Sequence, residues 1–198
     1  MLVEERESRL MHMLLKALSA IALSCLPAKA TAQNAVAPTL ELRSGQQDFD
    51  FEHGTWTTKV RVLRNPLSGA APIWAEYEGT SVVRPLLGGR ANFVELAVHG
   101  NSGSIEGGSL RLYNPLTRQW SINFASLRNG MLTAPVYGGF DGRGRGLFHG
   151  QDMLDGRAIL VRFAIEQVSQ REARFEQAYS ADGGVTWETN WVAVDVLR

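Results

Sequence analysis

The chain has 198 residues, 44% hydrophobic and 20% charged, with 20 Lys+Arg set against 20 Asp+Glu. This is ordinary globular composition at the length of one domain. The even charge excludes the basic surface that nucleic acid requires, and the lack of an apolar run of 18 residues excludes a permanent helical membrane span.

Residues 1–32 read as a secretory signal. Arg9 and Lys16 precede the small and apolar run from Ala17 to Leu26, Pro27 breaks it, and Ala30-Thr31-Ala32 offers the small residues of a peptidase site. Glu4, Glu5 and Glu7 make the first ten residues too acidic for such a start, which points to translation from Met11 or Met13. Cys25 lacks the leucine three places upstream that lipoprotein sites usually carry. The expected location is periplasmic or secreted. Cleavage after Ala32 leaves a chain without cysteine, held together by its core alone. Residues 33–47 are small and polar without a strong period and read as a linker, so the domain spans 48–198.

From Phe49 the pattern has period two. Trp56, Thr58, Val60 and Val62 share one face; Leu110 and Leu112 alternate with Ser109, Arg111 and Tyr113; Trp120, Ile122 and Phe124 share a face. So do Ile159, Val161, Phe163 and Ile165, and later Val192, Val194 and Val196. These are half-buried strands. Asn65-Pro66, Gly88-Gly89, Asn114-Pro115, Asn129-Gly130, Asp141-Gly142, Asp155-Gly156 and Asp182-Gly183-Gly184 supply the turns. The spacing predicts roughly nine or ten strands with no helix after residue 50. Short connections favour pairing in sequence order. The expected fold is therefore all-β, an antiparallel up-and-down β-barrel, with a two-sheet sandwich as runner-up.

Phe49-Asp50-Phe51-Glu52-His53-Gly54-Thr55-Trp56 opens the first strand. Gly54 lets the chain approach closely at this corner, and Trp56 is expected to plug one barrel end. This Gly-x-Trp resembles the first strand of lipocalin-like (calycin) barrels. Further phrases are Glu76-Tyr77-Glu78-Gly79-Thr80-Ser81, Arg84-Pro85-Leu86-Leu87-Gly88-Gly89, Leu110-Arg111-Leu112-Tyr113-Asn114-Pro115 and Trp187-Glu188-Thr189-Asn190-Trp191. Together they resemble an uncharacterised family of exported bacterial proteins with a lipocalin-like domain, from about Phe49 to the C-terminus. That family implies the barrel and carries no established activity. Lipocalins also often set a late Arg over the first-strand Trp; Arg198 is the only basic residue after Arg174.

Ser180-Ala181-Asp182-Gly183-Gly184-Val185-Thr186-Trp187 fits S-x-D-x-G-x-T-W, the Asp-box of sialidase propellers. One box cannot build a propeller of several blades. It reads as a hairpin turn in which Asp182 accepts from backbone N–H groups, Gly184 takes an unusual φ and Trp187 packs back.

Chemistry-bearing motifs are sparse. The histidines after residue 32 lie on separate segments at 53, 99 and 149, without metal-ligand spacing, and no phosphate-binding or dinucleotide fingerprint is present. No metal or cofactor is expected. Glu76 and Glu78 are assigned to the solvent face, which turns Tyr77 inward. The candidate ligand group is the set of polar residues on apolar faces: His149 with Leu147 and Met153, Gln177 between Phe175 and Tyr179, Asn190 with Val192 and Val194, and Tyr77. The leading expectation is an exported barrel that binds a small, apolar or amphipathic molecule. Lipocalin-like barrels also host isomerase, cyclase and hydratase chemistry, which here would use His149 with Tyr179 or Tyr77. A haem site on His149 is the third possibility.

Overall fold

The computed structural model describes residues 44–198. The expected signal, residues 1–32, and the linker up to residue 43 lie outside the described residues.

A 3-10 turn at Asp50–Glu52 leads into β1 (Gly54–Leu63), and β2 (Trp74–Leu86), β3 (Ala91–Gly100), β4 (Gly103–Asn114) and β5 (Gln119–Ser126) follow. After the two-residue β6 (Met131–Leu132) come β7 (Val136–Phe140), β8 (Arg145–Leu154), β9 (Arg157–Ser169), β10 (Glu172–Ser180) and β11 (Glu188–Leu197). Each strand pairs antiparallel with its sequence neighbours, except that β5 passes over β6 to reach β7. β11 pairs with β1, from Trp56 opposite Leu197 to Val62 opposite Trp191. The ring is thus a closed ten-strand barrel with β6 appended to β5. Closure leaves no long free edge for another chain to extend.

Period two sets the inner wall. On β1 the expected Trp56, Thr58 and Val60 are all buried. On β2 Tyr77 points in at 6% exposure, while Glu76 and Glu78 lie outside beside Arg61 and Lys59. Trp120, Ile122, Ile159, Val161 and Ile165 are buried as their alternation predicts. At β7 the inner position is Gly138. A Cβ there would meet the Leu147 carbonyl at 1.9 Å, and its cross-strand partners are the bulky Trp120 and Phe148.

One end is closed by the segment that enters β1. Phe49 is fully buried, with its ring edge-on to Trp120 and Phe140 at 4.9 Å from each. The Gly45 carbonyl accepts from Trp120 Nε1 at 2.8 Å, and the Ser44 carbonyl accepts from the Tyr113 hydroxyl at 3.2 Å. Residues 44–47 therefore dock on the barrel end. Gly54 has φ of +138°, a region few side chains tolerate. Trp56, 1% exposed, donates its indole N–H to the Glu52 carbonyl at 2.7 Å. Arg198 does not cover this ring. It lies outside, donating to the hydroxyls of Thr57 and Thr80.

The Asp-box forms a hairpin turn. Asp182 accepts from the Thr186 backbone N–H and from the Ser180 and Thr186 hydroxyls, which holds its carboxyl down at about 2. Gly184 adopts φ of +92°, and its carbonyl takes the Trp187 indole N–H at 3.0 Å.

Candidate functional site

The barrel encloses a cavity of about 350 Å³. Its walls are apolar: Val60 and Val62 from β1, Val94 and Leu96 from β3, Ile122 and Phe124 from β5, Val161 and Phe163 from β9, Phe175 from β10 and Trp191 from β11. Polar groups gather at its two ends.

The floor lies against the closed end. Glu52, carried there by the 3-10 turn, is 2% exposed and accepts from the guanidinium Nη1 of Arg111 on β4, itself 3% exposed. The Arg111 guanidinium also covers the Phe49 ring at 4.3 Å. Beside this pair sits Asp195 of β11, 6% exposed, directly across from Thr58 in the β1–β11 register. The Thr58 and Ser81 hydroxyls bond to each other at 2.7 Å. Burial raises the Glu52 carboxyl above its ordinary value despite Arg111. Burial also lifts Asp195 to about 7; the Thr58 hydroxyl and Arg111 oppose that rise, and the charge of Glu52 adds to it. Glu52 Oε1, Arg111 Nε and Asp195 Oδ1 are buried with no hydrogen-bond partner among the described residues.

The other polar group lies toward the exposed Thr133 and Ala134. It comprises Gln177 and Tyr179 of β10, Asn190 of β11 and Asp152 of β8. Gln177 donates to the Tyr179 hydroxyl at 3.2 Å, and Asn190 lies in hydrogen-bonding range of the same hydroxyl. Burial raises the Tyr179 phenol, and the nearby Asp152 charge adds to that. A bulge explains Asn190: Gln177 pairs with Trp191 and Ala178 with Thr189, so Asn190 is the extra residue. Both Asn190 and Trp191 consequently line the cavity.

Gln177, Tyr179 and Asn190 therefore meet in space, but two of the expected partners are elsewhere. His149 does not share their interior. It is exposed on the outer wall, opposite Arg162, with its ring 6.1 Å from Trp187. The inner face of β8 carries Phe148 and Asp152, and the apolar Leu147 and Met153 that suggested the opposite phase are exposed. This removes the axial ligand of the haem reading, and it separates His149 from both tyrosines of the acid–base reading. Tyr77 faces inward but lines a second recess of about 520 Å³, where Arg64 donates to its hydroxyl at 3.3 Å. The phase of β11 is also reversed from expectation beyond the bulge. Ala193 and Asp195 point in, and Val196 is 47% exposed.

Sequence reasoning missed Glu52, Arg111, Asp195 and Asp152 as cavity residues. Glu52 stood within the quoted opening motif without a role of its own, and Arg111 read on the face of its strand that alternates with Leu110 and Leu112.

A solved structure of similar fold is the S-type phycobiliprotein lyase CPES from Guillardia theta. It matches at a TM-score of 0.53 and 13% identity, over 78% of this chain and 95% of that one. The barrel is lipocalin-like. A second structure, EF1p2_mFAP2b bound to DFHBI, aligns at a TM-score of 0.43 and 9% identity, over 77% of this chain and 98% of that one. No protein-family model matches the chain, and no curated protein does.

Proposed function

We propose that this barrel is exported and binds a small, partly apolar molecule in its interior. The observation that carries the reading is the cavity of about 350 Å³, largely apolar along its walls and with its charged and amide groups at its two ends. Such a shape buries an apolar body and fixes its orientation through a few polar contacts, and the volume falls in the range of small-molecule sites. Gln177, Tyr179 and Asn190 would orient the ligand at one end, and the floor around Glu52, Arg111 and Asp195 at the other. Export to the periplasm or beyond is supported by the signal-like pattern of residues 1–32 and by the lack of cysteine after Cys25. The quoted phrases support placing the chain among exported bacterial lipocalin-like proteins.

Mass spectrometry of the protein purified from its native host tests both parts. Denaturation is expected to release about one small molecule per chain, and the polypeptide mass is expected to place the N-terminus near Gln33. Release no greater than that from Ser109→Phe, which fills the cavity, would contradict the binding reading. An intact leader on the exported protein would contradict the signal.

A further inference from the structure

We infer that the cavity selects a ligand bearing a cationic hydrogen-bond donor, a protonated amine or amidine, on its apolar body, with that group seated against Glu52 and Asp195. This rests on the binding reading above and names its ligand class.

The argument is a count of donors and acceptors. Glu52 Oε1 and Asp195 Oδ1 at the floor and Asn190 Oδ1 near the mouth have no partner among the described residues, and each residue is at most 6% exposed. Among the fully buried side-chain atoms of the described residues that line the cavity, the one donor without a partner is Arg111 Nε. The Thr58 and Ser81 hydroxyls share one hydrogen bond, and Thr58 also reaches Asp195, whose Oδ1 stays without a donor among the described residues. Three carboxyls line the space, from Glu52, Asp152 and Asp195, against the single guanidinium of Arg111, which is already engaged with Glu52.

A buried acceptor left without a donor is costly, and an ammonium supplies three donors and no acceptor. At pH 8, where Asp195 is ionised even in the folded barrel, a carboxylate ligand would do the reverse: it would add acceptors and a like charge beside carboxyls that outnumber the one guanidinium. The aromatic walls favour the same sign of charge, because ring faces attract cations.

Three probes with one indole body test this by calorimetric titration of the full barrel at pH 8: tryptamine, 3-methylindole and indole-3-propionate. Tryptamine is expected to bind at least about ten-fold more tightly than either of the others, the equivalent of one good charge-assisted contact. Asp195→Asn is expected to erase most of that advantage. Asp152→Asn, nearer the mouth and only half-buried, is a second variant that keeps the test valid if the floor variant fails to fold; it is expected to reduce the tryptamine advantage. Indole-3-propionate binding as tightly as tryptamine would overturn the inference. So would 3-methylindole matching tryptamine, in which case the binding reading stands alone. Binding of none of the three would count against both.

Discussion

Replacing Arg111 by leucine is expected to destabilise the barrel by about 3–5 kcal/mol, the cost of leaving a buried charge without its partner. Glu52, 2% exposed, would lose its ion-pair partner, and the Phe49 ring would lose the guanidinium that covers it. The loss propagates because Glu52 sits on the turn that closes the barrel and whose carbonyl holds the Trp56 indole. Removing both charges should be milder. In Glu52→Leu/Arg111→Leu no buried ion remains, so the double variant is expected to be more stable than Arg111→Leu alone. Urea denaturation of the two variants and the wild type reads this directly. A wild-type midpoint for Arg111→Leu would show that the pair does not hold the closed end.

Stability is also expected to fall as pH rises from about 4 to 7, because of Asp195. Its carboxyl titrates near 3.8 when exposed and at about 7 in the folded barrel, so it is the protonated form that the fold favours. The sign follows from linkage. Below pH 4 both states carry the proton and the contribution is fully present. Between the two values the unfolded chain gives up its proton and the folded chain keeps it, which favours unfolding. The loss by pH 7–8 is on the order of 4 kcal/mol for a shift of this size. Glu52, also raised by burial, acts in the same direction. Asp182 acts in the opposite direction, and its contribution is lost only as pH falls toward 2. Asparagine at 195 keeps the shape of the neutral acid without its titration. Asp195→Asn is therefore expected to flatten the profile and to exceed the wild type in stability at pH 8. Parallel profiles for the two proteins would show that Asp195 titrates as an ordinary exposed acid.

The up-and-down order, the turns and the inner faces of β1, β2, β5 and β9 were legible because their alternation is strongly apolar on one side and their connections are short. The candidate site was legible in part, and its errors are errors of phase. On β8, Leu147 and Met153 drew the inner face toward His149. Yet the tight Asp155-Gly156 hairpin pairs Leu154 with Arg157, which sets Asp152 opposite Ile159 and His149 opposite Arg162. Because Ile159 faces inward, register through that turn puts Asp152 in and His149 out. Arg111 could be found the same way. The Asn114-Pro115 turn sets Tyr113 against Trp120 and Arg111 against Ile122, and both partners were already assigned to the interior. Asp195 was harder. Its partner is Thr58, 137 positions away by their numbers, and the two meet only because β11 closes the ring on β1. The bulge at Asn190, which inverts the phase of Val192, Val194 and Val196, leaves no mark in the alternation.

The central claim, that the interior is the ligand site, is tested most directly by titrating the neutral fluorophore N-phenyl-1-naphthylamine into the wild type and Ser109→Phe. Ser109 lies on the cavity wall with Val94 and Phe124, so a phenyl group there takes up the space without touching the outer surface. The account predicts saturable binding to the wild type at about one probe per chain, and a loss of at least about ten-fold in affinity in a variant that still unfolds cooperatively. Equal binding by the folded variant would place the probe elsewhere and contradict the account.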